Sequence, residues 1–259
     1  MTDVIGQVAE LYRFPVKSMQ GESVERLELA TSGAIGDRLW GVLDIGAGKV
    51  LSAKRTAVLL DASATLDDRT GTVSITLPDG STHDAGDPAT DAALSAWLDR
   101  DVRLTAPTEE AIPFELTMDP TDDTSEVWDF ATPGGSLVDL AAAHVLTTSS
   151  LRAANALLPD AAWSVHRFRP TVLVDTGDAD GWVEDAWVGA TVSLGAADVD
   201  VFMACPRCAM PTRAQAPNDL PRDVRISRAL TDSHANNLGV YCAISAPGVV
   251  AIGDPAATR

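Results

Sequence analysis

Two cysteines three positions apart carry the most reactive chemistry in the chain: Cys205 and Cys208, in the run Ala204-Cys205-Pro206-Arg207-Cys208. A C-x-x-C pair has three readings: ligation of a metal or metal cofactor, thiol–disulfide exchange, or thiols buried without a chemical role. A thioredoxin-type dithiol needs its first cysteine at a helix N-terminus, where the dipole lowers the thiol pKa. Here Ala209-Met210-Pro211-Thr212-Arg213 follows, with an early proline and no amphipathic repeat, and residues 199–203 read as a strand. The pair therefore sits where a strand gives way to a loop. Arg207 lies between the thiols, and a neighbouring cation favours the thiolate, the soft ligand for a polarisable metal. The third cysteine, Cys242, lies inside a later strand and reads as a small buried hydrophobe.

A second set of residues suits an anion. Phe14-Pro15-Val16-Lys17-Ser18 ends a strand with an ammonium and a hydroxyl side by side, a point charge and a donor for phosphate. Gly36-Asp37-Arg38-Leu39-Trp40 places an arginine at an expected strand start, where it either pairs across the sheet or faces an anionic ligand. His166-Arg167-Phe168-Arg169-Pro170 supplies two more arginines, which would share a face if the run is extended. The bland readings are solvated strand ends and edges.

Composition limits what these groups can serve. Asp and Glu outnumber Lys and Arg by 37 to 19, a net charge of −18, so the overall field repels nucleic acid and anionic lipid. An anion must therefore be held by local cations against that field, and the only lysines are Lys17, Lys49 and Lys54. The histidines, His83, His144, His166 and His234, show no metal-ligand spacing, and the cysteines are too few for a disulfide framework. No apolar run approaches membrane-span length, and Met1-Thr2-Asp3-Val4 does not open a signal peptide, so the expectation is a cytoplasmic protein.

The elements that must position these groups are mostly strands. Residues 8–14, 38–44, 49–53, 73–77 and 102–104 read as strands in the first half. Residues 171–175, 190–194, 199–203, 239–244 and 249–252 do so in the second. A helix is expected from Asp87-Pro88, with Asp87 as cap, and another through 151–158, capped by Thr148 or Ser149. Residues 106–135 are rich in Pro, Thr and Gly, with Glu109, Glu110, Asp119, Asp122, Asp123 and Glu126 among them, and read as a long acidic connection. The expectation is a β-rich α+β fold with barrel-like sheet and a few short helices.

Taken in order, several runs resemble the MOSC family with its N-terminal β-barrel domain. This is the family of the molybdenum-cofactor sulfurase C-terminal domain and the mitochondrial amidoxime-reducing component. The runs are Tyr12-Arg13-Phe14-Pro15-Val16-Lys17-Ser18, Gly36-Asp37-Arg38-Leu39-Trp40, Ser52-Ala53-Lys54-Arg55, Leu146-Thr147-Thr148-Ser149-Ser150-Leu151, Arg167-Phe168-Arg169-Pro170, Glu184-Asp185-Ala186-Trp187 and Met203-Ala204-Cys205-Pro206-Arg207-Cys208. They are followed by Leu238-Gly239-Val240-Tyr241, Pro247-Gly248 and Ile252-Gly253-Asp254-Pro255.

The resemblance implies a MOSC-type barrel at 136–259, an N-terminal β domain at 1–105, and a connection at 106–135. It implies a molybdenum cofactor (Mo-molybdopterin), with Cys208 as molybdenum ligand and catalytic residue. Lys17, Ser18, Arg38, Arg169, Thr171, Pro206 and Arg207 would bind the cofactor, with Cys208 reachable at a barrel mouth. The implied activity is reduction of small N-oxygenated compounds with electrons from a separate ferredoxin or flavin-reductase type protein. The alternative is a carrier of cofactor or persulfide sulfur. Three departures bear on substrate: Thr171 stands where the mitochondrial proteins have asparagine, Leu140-Ala141 replace a small polar pair, and Gln215-Ala216-Pro217-Asn218-Asp219-Leu220-Pro221 replaces an Asp-Pro-x-Thr-Gly turn.

Overall fold

In the computed structural model, which describes residues 3–117 and 127–259, seven strands close into a barrel. Around it run Val172–Asp175, Ala143–Thr147, Asn237–Ala246, Ala197–Pro206, Thr191–Leu194, Pro255–Thr258 and Asp3–Arg13. The ring closes because Asp3–Arg13 pairs antiparallel with Val172–Asp175, Gln7 opposite Asp175 and Leu11 opposite Val172. The other pairs are antiparallel except Ala143–Thr147 beside Val172–Asp175, which is parallel.

Period-two alternation explains why these segments make a closed wall. Val8, Leu11, Val145, Val172, Val174, Val192, Val199, Val201, Val240, Cys242 and Ile244 form one buried interior. Each such aliphatic chain contributes about 1.5–3 kcal/mol on leaving water. Cys242 is fully buried there, as its sequence setting suggested. On the outer face of the same strands Leu146, Leu173 and Leu238 pack with Ile226 and Leu230, from helix Arg225–His234, and with Ala154, from helix Thr148–Leu157.

A second core lies in the first half: Val16, Met19, Val42, Leu51, Leu59, Leu60, Val73, Ile75, Leu94 and Val102. It is enclosed by Ser63–Asp67, Thr72–Thr76 and Thr82–Asp84, by a sheet containing Gly41–Asp44 and Val102–Thr105, and by helix Pro88–Leu98. Asp87 caps that helix as expected, accepting from Ala89 N. The first strand, Asp3–Arg13, does not join this core but is a stave of the barrel built by the second half.

Four local expectations are corrected. Residues 38–40 are not strand: Arg38 has φ +48, and the strand begins at Gly41. Residues 165–168 are a short helix, started by Ser164 accepting from His166 N and ended at Arg169, so Arg167 and Arg169 diverge. Thr147 rather than Thr148 or Ser149 caps the next helix, accepting from Ser150 N. The 106–135 stretch holds an antiparallel pair, Pro113–Thr117 with Val127–Ala131, joined through Phe114 to Val50. Of the acidic residues expected there, Glu109 and Glu110 are exposed, and Asp119, Asp122, Asp123 and Glu126 lie outside the described residues.

The Thr147 cap is locked by Glu184, whose Oε2 accepts from Thr147 Oγ1 and Ser150 Oγ, each at 2.6 Å. Its Oε1 is buried with no partner, and burial raises its pKa despite those two hydroxyls. A carboxyl held more protonated in the folded chain contributes stability at low pH that is lost as pH rises through the raised folded value. Glu184→Gln removes that loss. Its stability advantage over the parent is expected to grow from acid toward neutral pH and then level off, by about 1–3 kcal/mol. Urea midpoints across about pH 4–9 measure this, and a constant difference would refute it.

Candidate functional site

The site lies against the outer wall of the barrel, not at its mouth. His144 and Tyr241 face each other across two antiparallel strands, and their neighbours Ala143, Val145, Val240 and Cys242 fill the barrel interior. Alternation therefore turns His144 and Tyr241 outward. There they meet the first half of the chain in an open cleft. Lys17, Ser18, Arg38, Arg169, Thr171, Arg207 and Cys208 all line it, with Asp139, His144, Met210 and Tyr241. Pro206 does not line it; it is exposed at the end of its strand.

The backbone brings these groups together by specific bonds. Lys17 N donates to Trp40 O at 2.8 Å and Arg38 N to Phe14 O at 2.8 Å, so residues 14–18 run beside 38–40. Tyr12 N donates to Thr171 O, and Thr171 N to His144 O, tying both runs to the barrel. Of seven described non-glycine residues with positive φ, three line the cleft: Ser18 at +70°, Arg38 at +48° and Arg169 at +54°. Such conformations cost on the order of 1–3 kcal/mol each and cluster where geometry serves a ligand.

The cations are held by more than position. Arg169 and Arg38 both lie over the Phe14 ring, 4.0 and 5.1 Å from its centroid. Arg38 donates to Asp37, and Arg169 donates to Met19 O at 2.6 Å. Burial, then repulsion from Arg38, lowers the Arg169 pKa to about 9. A guanidinium stays protonated in proteins, so this charge is held at a cost that an anion would relieve.

Lys17 and Lys54 converge on Asp139. Lys17 Nζ donates to Asp139 Oδ1 and to Leu137 O, and Lys54 Nζ donates to Asp139 Oδ2 at 2.6 Å. Both ammonium groups lie over the Phe114 ring, at 4.6 and 4.9 Å. Burial works to raise the Asp139 carboxyl, but the two lysines outweigh it and hold it well below the usual range. Burial and the neighbouring Lys54 charge lower Lys17, whereas for Lys54 burial is outweighed by Asp139 and Cys208 together.

The two cysteines are unlike. Cys205 is sealed from solvent, accepts from Arg207 at 2.8 Å, and has its pKa raised by burial. Cys208 is partly exposed in the cleft. Arg207 thus turns to the buried thiol rather than standing between the two; it also donates to Phe168 O, and its buried Nε has no partner. The Cys208 loop is pinned to Asn236 by two bonds. Asn236 Nδ2 donates to Arg207 O at 2.7 Å, and Arg207 N donates to Asn236 O at 2.8 Å. Arg167 plays no part in the cleft; fully buried, it donates to the carbonyls of Ala162, Pro211, Arg213 and Pro221 and so shapes the loop after Cys208.

Sequence reasoning passed over His144, Lys54, Asp139, Met210 and Tyr241 as site residues. Burial, then the Arg207 charge, lowers the His144 pKa to about 3, so its ring is neutral. Its Nε2 lies 3.2 Å from Leu238 O and donates to it in the tautomer that protonates that nitrogen. A side chain at Gly239 is excluded, because a Cβ there would stand 2.3 Å from that nitrogen.

Comparison with known proteins agrees with this architecture. The chain is 25% identical to mitochondrial amidoxime-reducing component 1 of Mus musculus, over 97% of this chain and 82% of that protein. It is 24% identical to the Homo sapiens protein of the same name, with the same coverage. The crystal structure of the YUAD protein from Bacillus subtilis superposes with a TM-score of 0.50 at 10% identity, covering 100% of this chain and 96% of that one, a likeness of fold alone. The MOSC N-terminal beta barrel domain matches residues 5–94 and the MOSC domain residues 135–257. Those two matches span most of the sequence and every cleft residue, and the chain belongs to the MOSC family.

Proposed function

We propose that the chain is a molybdenum-cofactor-dependent reductase of N-oxygenated compounds, amidoximes and hydroxylamines among them. The observation that carries this reading is one partly exposed thiol, Cys208, in a cleft lined by Lys17, Arg38, Arg169 and Arg207. The relatives named for amidoxime reduction support the same chemistry.

The residues present fit the cofactor. Among the described residues, no group of three or more His, Cys, Asp or Glu side chains is placed to hold a metal ion. A lone thiolate suits a metal that arrives with its own sulfur ligands. The cation cluster, in a chain of net charge −18, suits a pterin phosphate. The buried, unpartnered Nε of Arg207 is a donor in want of an acceptor. Cys208 would ligate the metal, and Lys17, Ser18, Arg38, Arg169, Thr171 and Arg207 would hold the pterin and its phosphate.

When bound, the cofactor supplies the two-electron exchange that N–O bond reduction needs. The chain's own residues supply position and charge. Phe14 packs against two guanidinium groups, the Asn236 bonds fix the Cys208 loop, and neutral His144 adds no further positive charge. Electrons come from a separate donor protein of ferredoxin or flavin-reductase type.

The test is metal analysis of protein made in a molybdenum-replete host, with reduction of benzamidoxime and hydroxylamine by an artificial donor. Stoichiometric molybdenum with turnover is expected. Molybdenum without turnover would make the chain a carrier, and a reversible Cys205–Cys208 disulfide without molybdenum would make it a thiol exchanger.

A further inference from the structure

The cleft is not lined by charged groups alone. Val138, Leu140, Ala141 and Ala142 line it together, and Met210, two residues after Cys208, adds a thioether. Leu140 is 56% exposed, a large apolar side chain open to water at a cleft otherwise rich in charge. Its segment is held on both sides. Leu137 is fully buried against Val50 and Phe114, its carbonyl accepts from Lys17, and Asp139 is clamped by Lys17 and Lys54. Ala143 then enters the barrel. Leu140 therefore keeps its exposed place by the anchoring of its neighbours.

Asp139 sets a second condition on what meets this segment. Each carboxylate oxygen already accepts from a lysine, so Asp139 offers little to an incoming cation. A substrate cannot gain much there from positive charge, but it gains by covering Leu140 and Met210, since apolar surface leaving water is favourable. Met210 also packs on the core of the first half, and its unbranched thioether adapts to varied shapes.

We propose that Leu140, with Met210, is a specificity-determining contact that selects neutral N-hydroxylated compounds bearing an aryl or alkyl substituent. The contact rests on the reductase reading for its chemistry, but its binding energy is measurable without turnover.

The experiment uses molybdenum-loaded wild-type, Leu140→Asn and Leu140→Ala protein. Binding of benzamidoxime and of hydroxylamine is measured by calorimetry, and their reduction by steady-state kinetics with an artificial donor. Half-covering a leucine is worth about tenfold in affinity. Leu140→Asn is therefore expected to raise the Kd for benzamidoxime, relative to hydroxylamine, about tenfold. Leu140→Ala should fall between, and the KM ratio should follow wherever turnover occurs. The open setting of Leu140 lets both variants fold. Equal effects on the two ligands, or benzamidoxime binding indifferent to position 140 or absent, overturn the inference. Leu140-dependent binding without any reduction leaves the contact standing and removes the reductase reading instead.

Discussion

Cys208→Ser protein is expected to emerge from a molybdenum-replete host with its molybdenum lost and its reduction of benzamidoxime lowered by about a hundredfold or more. Changing a group that merely supports a metal ligand typically costs about 10–100-fold, so removing the ligand sets the upper figure as a floor. A serine hydroxyl is a hard, protonated oxygen at neutral pH, whereas thiolate is soft and ionisable. The control is Cys205→Ser, which should keep molybdenum. Cys205 is fully buried and bonded to Arg207, and a smaller, more polar atom there costs about 1–3 kcal/mol of stability. For a chain of this size that lowers Tm by roughly 2–4 °C per kcal/mol. The two variants thus separate in opposite directions: metal is lost from one and stability from the other. Loss of molybdenum from Cys205→Ser with retention in Cys208→Ser would transfer the ligand role to the wrong cysteine and end the assignment. Equal loss of activity from both, without any molybdenum in the parent, would favour thiol exchange.

Much of this site was legible because its residues are chemically unusual for the chain. Lysine is scarce, which singled out Lys17, whereas Lys54, which meets the same carboxylate, was passed over. The barrel strands were legible from alternation, and Asp87 from its proline neighbour. What stayed hidden depends on distance along the chain. Asp139 meets Lys17 across 122 positions and Lys54 across 85, and no local pattern encodes such a meeting. His144 and Tyr241 became neighbours only when register set them opposite each other. The short helix at 165–168 did carry a signal, since Ser164 is a cap residue and Pro170 stops a helix, but four residues show no periodicity to weigh against an extended run. The Pro113–Thr117 strand was masked by the acidic, turn-rich composition around it.

Arg169→Ala and Lys17→Ala are each expected to lower molybdenum occupancy by about 10–100-fold in affinity, the worth of one charge-assisted hydrogen bond to phosphate. The cofactor-free proteins should differ far less. Arg169 is buried beside Arg38, and its pKa, lowered to about 9, reflects how poorly that charge is accommodated. Its left-handed backbone adds strain. Removing the side chain relieves the repulsion but leaves Met19 O without its donor, two effects of similar size and opposite sign. Lys17 is subtler, because Asp139 keeps Lys54 as a partner when Lys17 is gone. Measured on cofactor-free protein, Tm should therefore move by only a few degrees in either variant, while the Tm gain that loading gives the parent should largely vanish. That contrast decides between a ligand site and a structural ion cluster. A structural cluster would lose stability first, and occupancy would fall only with the folded fraction. If both variants load as fully as the parent, these cations serve the fold, and the phosphate must be held elsewhere.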